Sequence, residues 1–199
     1  MLELQSMETL NEIIAPFIKS VADNPSDIYN EFSLQHELGI FLRNRFPDYK
    51  VQFERNVDFF FPGGKSRFSK REIDLTVFSP DRDELKWAIE LKFPKNGQYP
   101  ETMFGFCKDI AFVEELKSEG FSHTGVLILA SDHLFYSGST NGIYGFFRGG
   151  RTIHGPIQKP TGGRDVTFDI RGTYDVEWRD VVAPLKYATI ESADFLLTN

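Results

Sequence analysis

Asp74, Glu90 and Lys92 are charged residues set inside two apolar stretches of sequence. Ile73, Leu75 and Val77 alternate with Asp74 and Thr76, and Trp87, Ile89, Leu91 and Phe93 alternate with Ala88, Glu90 and Lys92. A period of two sends the odd positions of each strand to one face and the even positions to the other. The segment Ser79-Pro80-Asp81-Arg82-Asp83-Glu84 has the composition of a turn, so the two stretches read as an antiparallel hairpin. Opposed residues in such a pair share a face. Any register that keeps the apolar face continuous therefore also gathers the three charges, and pairing Asp74 with Glu90 would set Lys92 opposite Glu72.

Two carboxylates a few ångströms apart repel, and one takes up a proton unless positive charge stands between them. Their hard oxygens suit Mg²⁺ or Mn²⁺, and Mg²⁺ typically uses one or two protein carboxylates together with water and substrate phosphate. Such an ion makes bound water a nucleophile near neutral pH and stabilises charge growing on a phosphoryl oxygen. Lys92, on the face of Glu90, is placed to orient that water or to neutralise the transition state. An ordinary solvated strand face with a cross-strand salt bridge accounts for the periodicity equally well.

The flanking sequence must supply elements that hold this hairpin. An amphipathic helix is expected within residues 1–24, carrying Leu10, Ile13, Ile14, Phe17 and Ile18 on one side. A second, from Tyr29 to Phe46, presents Leu34, Leu38, Phe41 and Leu42 and stops before Pro47. A strand follows over Lys50 to Val57, ended by the aromatic turn Phe59-Phe60-Phe61-Pro62-Gly63-Gly64. Beyond Lys92 a helix is expected, with Pro100 near its first turn, Gly120 past its end, and Met103, Phe106, Ile110, Val113 and Leu116 as its inward stripe. The apolar run Gly125 to Ser131 suits a strand buried on both faces, reached from the Glu90 strand by a right-handed parallel crossover. From Asp132 onward the chain is rich in glycine and turns, with the strand-like pieces RTIHG, DVTFDIRG and YDVEW expected as hairpins extending the sheet.

The 199 residues, with 41% hydrophobic content and twenty phenylalanines, suffice for one well-packed domain over 1–199. A single cysteine, Cys107, excludes an internal disulfide and a cysteine-based zinc cage and reads as an inert buried thiol in a reducing cytoplasm. No HExxH pair points to zinc, and His36 reads as a surface residue. No export signal or membrane-length apolar run is present, so a cytoplasmic protein without membrane partners is expected. The net charge of −7 argues against coating nucleic acid through a broad basic surface and leaves local binding open. Four basic residues, Lys65, Arg67, Lys70 and Arg71, lead directly into Asp74 and are the foremost phosphate-contact candidates. Lys95, Gln98 and Lys108 are weaker ones. Arg148 and Arg151, near Tyr144, Phe146 and Phe147, read either as a phosphate-and-base contact or as turn residues anchored by aromatics.

Ile73-Asp74, a spacer of fifteen residues, and Glu90-Leu91-Lys92 together resemble the D-(x)n-(D/E)xK signature of the PD-(D/E)XK nuclease superfamily. The resemblance covers roughly residues 31–131, with Ile73 where the name-giving proline often stands. It implies an α/β fold with a three-layer restriction-endonuclease-like core, αβββαβ, over 29–131, a mixed central sheet flanked by helices, and a β-rich extension over 132–199. It implies a divalent-metal-dependent nuclease that cleaves nucleic acid, DNA foremost, through metal-activated water. Asp74, Glu90 and the Leu91 backbone carbonyl would hold Mg²⁺ or Mn²⁺, and Lys92 would assist the attack. A further acidic ligand is expected on the first core helix, where Glu37 borders the buried side and is preferred over Glu31, which a helix N-terminus already favours. A homodimer would be implied if both strands of a duplex are cut. Two other readings remain: a catalytically silent nucleic-acid- or protein-binding module on the same fold, and a structural α/β protein with an incidental ion pair.

Overall fold

The computed structural model of the chain describes residues 8–63, 67–95, 97, 99–162 and 166–193. Helix α1 (Leu10–Asp23) is set by a capping box, in which Thr9 Oγ1 accepts from Glu12 N at 3.2 Å and Glu12 Oε2 accepts from Thr9 N at 2.7 Å. Its buried stripe is Leu10, Ile13, Ile14, Phe17, Ile18 and Val21. Residues 1–7 of the expected helical span lie outside the described residues. Helix α2 (Glu31–Arg45) starts one residue after Asn30, whose Oδ1 accepts from Ser33 N at 2.7 Å, and it ends ahead of Pro47. Gly39 lets α2 close on the sheet, because a Cβ there would stand 2.1 Å from the Phe53 ring.

The chain continues through β1 (Lys50–Asn56), β2 (Glu72–Phe78), β3 (Leu85–Lys92), α3 (Tyr99–Glu119) and β4 (His123–Ala130). Two single-turn helices follow, α4 (His133–Tyr136) and α5 (Tyr144–Phe147), and then β5 (Ile153–Gln158), β6 (Thr167–Tyr174), β7 (Arg179–Val182) and β8 (Leu185–Glu191). A mixed six-stranded sheet runs β1-β2-β3-β4-β8-β7 and is flanked by helices. Only β3 and β4 are parallel, joined through α3, and all other neighbours in the sheet are antiparallel. Every residue of β4 after His123 is buried, in line with its two-sided apolar run.

Two expectations for the C-terminal third need correction. The β7–β8 hairpin does extend the sheet, but β5 and β6 form a separate two-stranded ribbon. Of the YDVEW piece, only Tyr174 belongs to a strand. The ribbon packs on the far side of α3, where Phe168 lies 5.2 Å from Phe104. Covered by the sheet on one side and the ribbon on the other, α3 buries Phe104, Cys107, Ala111 and Phe112 as well as its expected stripe.

The odd residues Leu75, Val77, Trp87, Ile89, Leu91 and Phe93 pack with α1 and α2 in one core cluster, but Ile73, expected on the same face, packs instead with Val57, Ala88 and Phe112 in a separate cluster. The even face is not solvated either: Thr76, Ala88 and Glu90 are fully buried and Asp74 is 8% exposed. A solvated hairpin face is therefore excluded, and the buried charges on it require partners. No helix among the described residues is long and apolar enough to cross a membrane.

Candidate active site

The β2–β3 ladder runs from Phe78↔Leu85 to Leu75↔Ile89 and stops there. One residue beyond the last pair, the side-chain carboxylates of Asp74 and Glu90 take over the bonds of the ladder. Asp74 N–H donates to Glu90 Oε1 at 3.2 Å, and Leu91 N–H donates to Asp74 Oδ2 at 2.8 Å. Gln35 from α2 ties the same point by donating to the Asp74 carbonyl at 2.8 Å. Backbone groups thus orient both acids without exposing them.

The remaining oxygens meet a cation. Lys70, just ahead of β2, places its Nζ 3.2 Å from Asp74 Oδ1 and 3.5 Å from Asp109 Oδ1, and bonds closely to Glu90 Oε2. Lys92 Nζ lies 3.4 Å from Asp109 Oδ2, 3.7 Å from Asp74 Oδ2 and 3.8 Å from Glu31 Oε1, and donates to the Leu91 carbonyl at 2.7 Å. Glu31 Oε2 accepts from Phe93 N–H at 3.1 Å. Elements α2, β2, β3 and α3 and the segment before β2 therefore contribute four carboxyl groups and two ammonium groups to one cluster. With all ionised, two negative charges are left over.

Burial decides where that excess goes. The Glu90 carboxyl is pushed well above the ordinary 4.5, first by burial and then by the charges of Asp74 and Asp109, against the pull of Lys70 and Lys92. Glu31 is raised mainly by burial, opposed by Lys92 and the Phe93 N–H. For Lys92, burial favours the neutral amine, but Asp109, Asp74, Glu31 and Glu90 outweigh it and raise the group. Lys70 is raised against burial by Glu90, Asp109 and Asp74. Both lysines are thus favoured in their charged form, and burial tilts Glu90 toward its protonated form.

A stability test follows from the sign. Because folding raises the Glu90 pKa, the native state binds more protons than the unfolded one, and stability from this group is lost as pH rises from about 4.5 toward the folded value. Metal-free Glu90→Gln, which stays neutral, is expected to gain on the wild type through that window, at up to about 1.4 kcal/mol per pH unit. Urea melts at several pH values with chelator present check this. Parallel curves for the two proteins would show that Glu90 does not hold the proton.

Asp74, Glu90 and Lys92 are brought together, and Glu37 is not among them. Glu37 contacts His36 Nδ1 at 2.9 Å and lines a recess between α1 and α2 with Phe17, Val21 and Ile40. Six residues of helix separate it from Glu31, about 9 Å along the axis, and the end of α2 beside the cluster is the Glu31 end. Of the phosphate candidates, Lys65 and Gln98 lie outside the described residues. Lys70 faces carboxylates, Arg67 pairs with Glu119 at 2.6 Å, and Lys108 lies 5.4 Å from the Phe104 ring. Arg71 is exposed beside Lys70, and Lys95 is exposed and bonds the Tyr29 carbonyl. Arg148 donates to the Ser139 and Leu134 carbonyls and stacks on Tyr144, while Arg151 stacks on Phe146, so both brace the α4–α5 region. The sequence reading missed Asp109. Its signal was a carboxylate set between Phe106 and Ile110 in an apolar helical stripe.

The donor set suits a hard cation. Asp74 Oδ1, Glu90 Oε2 and Asp109 Oδ1 are hard oxygens around one positive charge, the kind of donor set that a hard divalent cation takes. Among the described residues no three His, Cys, Asp or Glu side chains are arranged to hold a metal ion as they stand, and these oxygens close on Lys70. Cys107 is buried, and burial, then Asp109, raises its thiol far above reactive range. Compared with known proteins, the chain matches no family model, no curated protein and no solved structure.

Proposed function

We propose that the chain is a divalent-metal-dependent nuclease, hydrolysing phosphodiester bonds of nucleic acid, DNA foremost, on a restriction-endonuclease-like core made of α2, β1, β2, β3, α3 and β4. The observation that carries this reading is the parting of β2 from β3 at Asp74 and Glu90 with the Lys92 ammonium beside them. Those are the three residues of the D-(x)n-(D/E)xK pattern. Asp74 and Glu90 would hold Mg²⁺ or Mn²⁺, with Asp109 supplying a third carboxylate and the Leu91 carbonyl within reach of the same cluster. When bound, the ion supplies Lewis acidity toward a phosphoryl oxygen and acidifies water.

The chain's own residues do the rest. Asp109, Asp74 and Glu31 hold the Lys92 ammonium charged and aimed, so it would orient the attacking water or neutralise charge growing on the phosphoryl oxygen. Backbone N–H groups fix both acids, so their oxygens need little reorganisation during reaction. Exposed Arg71 and Lys95, close in sequence to Lys70 and Lys92, offer positive charge to a substrate backbone at the mouth of an acidic protein. A twofold dimer would present two such sites to a duplex.

The seat of Lys70 among the carboxylates favours the alternative, a silent binding module in which a lysine has taken the place of the ion. One assay separates the two. Plasmid, linear duplex, single-stranded DNA and RNA are incubated with Mg²⁺ or Mn²⁺ and with chelator, using wild type and Asp74→Ala. Metal-dependent cleavage, absent with chelator and lowered at least about 100-fold in the variant, is expected. Binding without cleavage would select the silent module, and equal cleavage by both proteins would remove Asp74 from the chemistry.

A further inference from the structure

We propose that Lys70 is a built-in stand-in for the divalent ion, so that its ammonium and the metal are alternative occupants of the space bounded by Asp74 Oδ1, Glu90 Oε2 and Asp109 Oδ1. The inference rests on the nuclease reading for the identity of the second occupant. It goes beyond that reading by giving the site two states and naming the residue that exchanges.

Three features carry it. First, the atoms coincide: the two motif carboxylates, which have every other reason to repel, both turn an oxygen to Lys70 Nζ, and Asp109 completes the ring. A metal on Asp74 and Glu90 at about 2.1 Å from each oxygen would lie where the ammonium is, so both cannot be accommodated. Second, the lysine is tethered by its backbone and not by its stem. Glu115 Oε2 accepts from Ser69 N at 2.8 Å and Ser69 Oγ at 2.9 Å, anchoring the segment to α3. The Lys70 side chain is 35% exposed, against 9–11% for Asp74 and Asp109, so it covers them from the solvent side and can leave by rotation about its own bonds. Third, the charges answer one another. Without a metal, one ammonium fewer would leave three buried carboxylates facing each other, whereas a divalent ion replaces the departing charge and adds one more.

The exchange has a signature in metal affinity. When an internal group occupies a site for most of the time, apparent affinity falls by the fraction of time the site is open. If Lys70 is seated for about 90% of the time or more, Lys70→Met, which keeps the stem and removes the charge, binds Mn²⁺ about tenfold or more tightly than wild type. Calorimetric titration with Mn²⁺ reads this directly. Lys70→Arg, still charged, is expected to bind no more tightly than wild type.

A measurement on the unmutated protein covers the case in which Lys70→Met fails to fold. In protein carrying ¹³C-labelled lysine, the Lys70 Cε resonance, assigned by its loss in Lys70→Arg, is expected to move toward the solvated-lysine position as Mg²⁺ is added, while the Lys92 resonance remains distinct. Equal Mn²⁺ affinity in wild type and Lys70→Met, or a Lys70 resonance unmoved at saturating Mg²⁺, overturns the exchange and leaves the nuclease reading to its cleavage assay. Absence of Mn²⁺ binding in wild type and Lys70→Met alike overturns both.

Discussion

Lys92→Met is expected to lower kcat for phosphodiester cleavage by about 10²- to 10⁴-fold, the range seen when a positioned acid–base or charge-stabilising group is removed. The loss should fall on the chemical step. Neither bond that parts the strands, Asp74 N–H to Glu90 Oε1 or Leu91 N–H to Asp74 Oδ2, involves the Lys92 side chain, so both acids keep their orientation in the variant. Mn²⁺ binding should persist, because removing an ammonium from beside Asp74 and Asp109 raises the negative potential that draws the ion. KM should change little. If Lys92 instead only anchored substrate phosphate, KM would rise and the salt dependence of binding would weaken while kcat held.

Lys92→Arg is the informative companion. A guanidinium keeps the charge but is planar and larger, and the ammonium it replaces is 15% exposed and closed in by Asp109, Asp74 and Glu31. Arginine should therefore recover little of the rate. Single-turnover cleavage at saturating metal, with circular dichroism confirming the fold, separates these outcomes, and full activity in Lys92→Arg would reduce the residue to a diffuse positive charge.

What was legible in the sequence was local. The alternation of Leu75 and Val77 with Thr76 is decided by one strand and its two faces, and it fails at Ile73, which packs with Ala88 and Phe112 where the ladder ends. The apolar run in β4 needed only its own composition to read as a strand covered on both sides. Burial of Asp74 and Glu90 was not legible, because the cover on that face is α3 with a ribbon drawn from residues 153–174, and no short-range pattern encodes that docking. That Glu31 and not Glu37 stands beside the cluster was not legible for a related reason. Periodicity puts Glu37 on the border of the apolar side, but α1 packs along that border and converts it into a recess away from the cluster. Lys70 read as a phosphate ligand because a basic run says nothing about which member turns inward. Asp109 carried a readable mark, a charge in an apolar helical stripe, whose meaning depended on knowing that the stripe faced other charges. Strand β8 pairs with β4 across some sixty residues of chain, a contact that neither stretch announces.

Glu114→Ala is expected to cost about 3–5 kcal/mol of stability, the range for breaking a buried charged network from one side. The Glu114 residue is 1% exposed on α3 and accepts from Gly172 N at 2.6 Å, Tyr174 Oη at 2.8 Å and Arg171 N at 3.0 Å. Alanine would take the acceptor from two backbone N–H groups and from the Tyr174 hydroxyl where the ribbon meets the helix, and each buried group left unpaired costs about 1–3 kcal/mol. The Tyr174 hydroxyl, raised first by its burial, stays protonated and keeps donating, so Tyr174→Phe should remove one of these bonds at a smaller cost. The double variant should then be less than additive by about 0.5–3 kcal/mol. Hydrogen exchange distinguishes a local from a global effect. The ribbon pairs only with itself and docks through α3, so β6 amides should exchange faster in Glu114→Ala while β1–β4 keep their protection. Asp109 lies five residues before Glu114, about 7.5 Å along the same helix, on the side that meets Lys70 and Lys92. Glu114→Ala should weaken Mn²⁺ binding less than Asp109→Ala does, because the helix keeps its own contacts with β3 and β4. Equal losses in the two variants would mean that the ribbon, and not the helix–sheet packing, positions Asp109.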